Sequence, residues 1–69
     1  MAGTYKKIEI VGTSSKTVSD AIAVAVAEAA STVRNIGWFE VAEIRGSVKN
    51  GKVSEYQVTV RIGFKVEGK

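Results

Sequence analysis

A single tryptophan, Trp38, stands where an Ala/Val-rich segment gives way to alternating apolar and polar residues. An indole turned out of a core is a docking surface for another flat ring, and such stacking adds about 0.5–1.5 kcal/mol beyond burial. Catalytic chemistry has little to work with. The chain has no His and no Cys, which removes the commonest general base, the thiol nucleophile and the usual zinc ligands. No Ser sits in a nucleophile elbow, and no paired carboxylates have an evident pocket. Gly12-Thr13-Ser14-Ser15 superficially suggests a phosphate loop, but the spacing is wrong and the Lys-Thr pair is misplaced, so helix capping is the better reading. These residue types favour binding.

The elements that must position Trp38 follow from periodicity. Tyr5 to Val11 reads as a strand, with Ile8 and Ile10 on one face and Lys7 and Glu9 on the other. Ser14 or Ser15 is expected to cap a helix running to about Ile36. Val18, Ile22, Ala25, Val26, Ala29, Val33 and Ile36 fall within an arc of about 100° at helical pitch, and Gly37 supplies a left-handed stop. Trp38 to Val48 is a second strand, and Lys49-Asn50-Gly51-Lys52 is a type I′ hairpin signal. In the third strand Tyr56, Val58, Val60, Ile62, Phe64 and Val66 alternate with polar or small residues.

A two-residue loop at Asn50-Gly51 predicts the pairs Val48 with Val53, Ile44 with Gln57, Ala42 with Thr59 and Trp38 with Gly63. Trp38, Ala42 and Ile44 then face away from the helix, and Phe39 and Val41 lie beneath it. Glu43 and Arg45 fall on the nominal core side, which hints at a β-bulge. Gly63 leaves room beside Trp38 for a planar aromatic to stack. Trp38 and the residue opposite Gln57 lie on the order of 20 Å apart at about 3.3 Å per residue, so both can serve one small ligand only across subunits.

Size points the same way. A single domain of 69 residues buries only roughly 60% of its unfolded surface, and without disulfide or zinc the remaining staple is self-association. The longest apolar run, Ala21 to Ala27, is far shorter than the roughly 18 residues a bilayer span needs. The N-terminus lacks a basic segment followed by an apolar stretch, so a cytoplasmic location is expected. The net charge of +3 is modest, and interspersed acidic residues do not form a nucleic-acid stripe.

From end to end the chain resembles the dodecins, small flavin-binding proteins. The resemblance rests on Tyr5-Lys6-Lys7-Ile8-Glu9-Ile10-Val11-Gly12-Thr13-Ser14, Gly37-Trp38-Phe39-Glu40-Val41, Ile44-Arg45-Gly46, Tyr56-Gln57-Val58 and Gly63-Phe64. It implies an α+β fold of β-α-β-β order over residues 1–69, with a three-stranded antiparallel sheet partly wrapped around one helix and twelve copies forming a hollow shell. It further implies that Trp38 stacks on the flavin ring, with paired flavins between two indoles. By the same resemblance Gln57 hydrogen-bonds the pyrimidine edge, and Arg45 and Lys65 neutralise the phosphate of FMN. Lys65 departs from the arginine common in the bacterial branch, keeping the charge but losing the bidentate fork. Some bacterial members also bind coenzyme A through basic residues on the helix, and here Glu28 stands at one such position.

The expected function is non-enzymatic FMN storage, sequestration and photoprotection by a homododecamer, with no membrane or nucleic-acid partner. Riboflavin and FAD share the ring that Trp38 would grip. The rival reading is a small basic interaction module that binds RNA on its sheet face.

Overall fold

The structure, a computed structural model, describes residues 3–67. Four elements follow one another: β1 (Tyr5–Ser14), α1 (Val18–Ala30), β2 (Ile36–Lys49) and β3 (Lys52–Lys65). The strands form one antiparallel sheet in the order β1-β3-β2. The last strand in sequence is thus the middle one in space, and α1 carries the chain between the two sheet edges. This is the expected β-α-β-β arrangement. Asn50 and Gly51 take φ of 54° and 76°, as a type I′ turn requires. No helix among the described residues is long and apolar enough to cross a membrane.

The core is thin and built from small parts. Val58, Val60 and Ile62 of β3 are fully buried, and Ala21, Ala25 and Ala29 of α1 meet them. The alanines are four residues apart and form one ridge, with Val18, Ile22 and Val26 packed partly buried against the same cluster. The expected stripe is therefore rotated toward Ala21, because alanine lets the helix axis settle close to the sheet. Gly12 completes that approach from β1. A Cβ there would run into the Ala21 carbonyl oxygen and stand 2.8 Å from the Ala25 Cβ.

Both helix ends differ from expectation. The N-cap is Thr17, whose hydroxyl accepts from the Asp20 N–H at 2.9 Å, rather than Ser14 or Ser15. Ser14 remains in β1, where its Oγ accepts from the N–H groups of Lys16 and Thr17 and donates to the Asp20 carboxylate at 2.7 Å. It organises the approach to the helix without capping it. At the other end the helix stops at Ala30 with Ser31 as C-cap, and the Ser31 hydroxyl donates to the Glu28 carbonyl at 2.6 Å. Asn35, not Gly37, takes the left-handed conformation, with φ of 65°. Asparagine tolerates this region better than other non-glycine residues. Gly37 is consequently a strand residue, and Ile36 packs against the core from β2 without being helical.

The molecule is long for its size. Its extents are 54 × 20 × 13 Å and its radius of gyration is 14.3 Å, against about 11 Å for a compact domain of this length. The accessible surface of 5041 Å² also exceeds the roughly 4,200 Å² expected from its mass. Both excesses come from the β2–β3 hairpin, whose 14-residue strands span about 46 Å, whereas α1 spans about 20 Å. The helix lies on β1 and β3 and barely reaches β2. Phe39 and Val41 do face the helix side, but they are 49% and 41% exposed.

The close approach at Gly12 yields a measurable expectation. Gly12→Ala should lower stability by at least about 1–3 kcal/mol through overpacking, read as a fall in the thermal or denaturant midpoint. An unchanged midpoint would contradict the contact.

Candidate functional site

The face of the sheet turned away from α1 is set by irregularities in the β2–β3 register, which lie between Ile36 and Trp38, Val41 and Glu43, and Ser47 and Val48. Val41 pairs with Val60, but Glu43 pairs with Thr59, so Ala42 is bulged out of the ladder. The bulge moves Glu43 to Ser47 to the other face, and a second irregularity between Ser47 and Val48 restores the original register toward the turn. Ile44 accordingly pairs with Val58, on the helix side, and Arg45 pairs with Gln57. The expected partners Ile44 with Gln57 and Ala42 with Thr59 are corrected by this shift, and Trp38 with Gly63 and Val48 with Val53 stand. Ile44 joins Phe39 and Val41 as apolar surface beside the helix, and the outer face is more polar than a regular register implies.

Trp38 occupies a nest at one end of this outer face. Gly63 is buried beneath the indole, and a Cβ on Gly63 would collide with its Cε2 and Cζ2 atoms. The space expected to receive a ligand ring beside Gly63 is thus taken by the indole itself, which lies flat across the strand. Tyr5 flanks it, with ring centroids 5.4 Å apart and planes tilted by 58°. The indole N–H donates to Glu40 Oε2 at 3.2 Å, and the Lys7 ammonium donates to both Glu40 oxygens at 3.1 and 3.2 Å. The indole remains 38% exposed, which leaves one broad apolar surface free.

Charge on the outer face is largely cancelled in pairs. Lys7 meets Glu40, and Arg61 Nε meets Glu9 at 3.0 Å. Among the described residues, Arg45 and Lys65 form no ion pair, so their charges are not cancelled by a neighbouring carboxylate. The Lys7 hydrogen bond, then the Trp38 N–H, hold the Glu40 carboxyl below the usual carboxylate range. The Lys7–Glu40 pair is therefore present above that range and is lost as pH falls through the lowered value. Exposed pairs add little to stability, so its effect is geometric.

The four sequence-derived site residues fall into two groups. Arg45 and Gln57 are cross-strand partners, with the Gln57 amide donating to Glu55 Oε1 at 3.0 Å. Lys65 lies two residues beyond Gly63 on the same face of β3, near Trp38. The groups are six residues apart along β3, or roughly 20 Å. One copy of the chain does not bring Trp38 to Gln57.

A family model described as Dodecin matches residues 4–67. The chain belongs to the dodecin family. It is 48% identical over 67 residues to a dodecin of Thermus thermophilus, covering 97% of each sequence. A crystal structure of a Thermus thermophilus protein superposes with a TM-score of 0.93 at 46% identity, covering 99% of this chain and 100% of that one. The dodecin of Streptomyces coelicolor gives a TM-score of 0.92 at 40% identity over 97% and 96% of the two chains. In general terms dodecins bind flavin and are not enzymes, and that description extends to this member.

Sequence reasoning missed Tyr5, Lys7 and Glu40 as companions of Trp38. Glu40 carried a usable signal, since residues two apart on a strand share a face. Tyr5 and Lys7 carried none, because no turn links β1 to β3 and their register comes only from tertiary pairing. Gly63→Ala should displace the indole of this dodecin from its nest, seen as loss of near-ultraviolet circular dichroism and greater quenching of tryptophan fluorescence by acrylamide. An unaltered Trp38 signal would contradict the contact.

Proposed function

We propose that this chain is the subunit of a hollow homododecamer that binds FMN between subunits, buffering free flavin and shielding it from light. The observation that carries the reading is the placement of Trp38 and the Arg45–Gln57 pair on one sheet face, roughly 20 Å apart. They form a single small-molecule site only when different copies contribute them. The uncovered flank of β2, with Phe39, Val41 and Ile44, is the surface by which copies meet. It is apolar and continuous with the core, whereas the outer face carries the charges.

Each residue type suits its part. Trp38 offers an exposed ring held over a glycine, against which an isoalloxazine would stack. Gln57 has an amide able both to donate and to accept, which matches the alternating polar edge of a pyrimidine ring. Arg45 offers a bidentate fork to a phosphate, and Lys65 offers a point charge. These two cations favour FMN over riboflavin. The flavin brings its own light absorption and redox capacity, and Trp38 in contact with it would quench the excited ring. Coenzyme A is outside the proposal, because α1 carries Asp20 and Glu28 and no basic residue.

Titrating purified protein with FMN tests this directly. The expected result is a large particle with strong flavin quenching that saturates near one flavin per subunit. A monomer indifferent to flavins would overturn the proposal, and salt-sensitive RNA binding by such a monomer would favour a nucleic-acid module instead. Gln57→Ala should weaken FMN binding by about tenfold, the cost of about one hydrogen bond, without changing particle size. Val41→Glu should release smaller species on gel filtration, since it places a charge on the apolar flank of β2.

A further inference from the structure

We infer that Glu40, anchored by Lys7, is the positioning residue for Trp38: it fixes the tilt of the indole and thereby the plane offered to a stacked ring. This rests on the reading of Trp38 as the stacking surface, and it adds residues that do not themselves touch the ligand. Three constraints converge on one ring. Gly63 supplies a floor without a side chain, Tyr5 supplies one wall, and Glu40 accepts from the only polar atom of the indole. A floor and one wall leave the ring free to swing about its χ angles. The hydrogen bond removes that freedom.

Glu40 is itself held. Lys7 donates to both of its oxygens, so the carboxylate is gripped from β1 while it reaches along β2. Its cross-strand partner Arg61 makes its hydrogen bond through Nε to Glu9 on β1 and acts on Glu40 only through its charge. The arrangement ties the indole to two strands at the exposed end of the face. A side chain already fixed in its bound orientation loses less freedom when the ligand arrives, which is the usual gain from pre-organisation.

Trp38 is the sole tryptophan, so its optical signals report this ring without any ligand. The test compares Glu40→Ala, Glu40→Gln and Lys7→Met with the parent protein by near-ultraviolet circular dichroism, fluorescence anisotropy and acrylamide quenching, followed by FMN titration. Glu40→Ala should lose the dichroic signal, become more open to acrylamide and bind FMN about two- to tenfold more weakly per site. Glu40→Gln should retain most of both properties, since its amide oxygen still accepts, and Lys7→Met should fall between. Particle size and far-ultraviolet spectra should not change. Unaltered tryptophan signals in Glu40→Ala would overturn the inference, as would a freed indole with undiminished FMN affinity. Failure of the parent protein to bind FMN would instead sink the proposed function, leaving the ligand-free signals to decide whether Glu40 orients the ring.

Discussion

The contact between the alanine ridge of α1 and the sheet governs most of what this molecule is. Ala21, Ala25 and Ala29 meet Val58, Val60 and Ile62, and Gly12 lets the helix come closer than any side chain would permit. A helix with so little bulk on its buried side settles deeply over two strands and cannot spread over a third. The tight seal over β1 and β3 and the bare flank of β2 are therefore two results of one packing choice. A larger ridge would have stood the helix off the sheet and shaded more of it.

From that bare flank comes the dependence on other copies. Phe39, Val41 and Ile44 lie on the apolar side of the sheet with roughly half of their surfaces open, and the β2–β3 hairpin extends well beyond the helix. Among the described residues nothing covers them fully. Trp38 and Gln57 meanwhile stand near opposite ends of the outer face, roughly 20 Å apart within one copy.

The bulge at Ala42 does for the outer face what the alanine ridge does for the inner one. By moving Glu43 and Arg45 outward and Ile44 inward, it sorts charge from apolar surface along the far half of β2. It also places Arg45 opposite Gln57, which joins a guanidinium to an amide at one end of the face. At the other end, the Lys7–Glu40 pair contributes orientation and little stability. Lys7 and Arg61 are paired with carboxylates, whereas Arg45 and Lys65 form no ion pair among the described residues.

The residues alone determined the element order and the Asn50-Gly51 turn, because period-two alternation and turn chemistry are local. The expected opposition of Trp38 to Gly63 holds because the irregularities at Ala42 and between Ser47 and Val48 offset each other. Family resemblance, spread over the whole chain, pointed to Arg45, Gln57 and Lys65. The helix ends were less legible: Val33 and Ile36 continue the helical stripe in phase, although Asn35 has already turned the chain, and an apolar residue beneath a helix reads like one within it. The bulge left only a hint, two charged residues on the wrong side of an ideal register, since its position depends on which slip buries Ile44 and frees Arg45. Tyr5, Lys7 and Gly12 gave no sign of their roles, because β1 meets β3 and α1 through long-range packing. Only the tertiary structure could decide those contacts, for β1 pairs with β3 across 42 to 60 positions of sequence and Gly12 meets α1 across a turn.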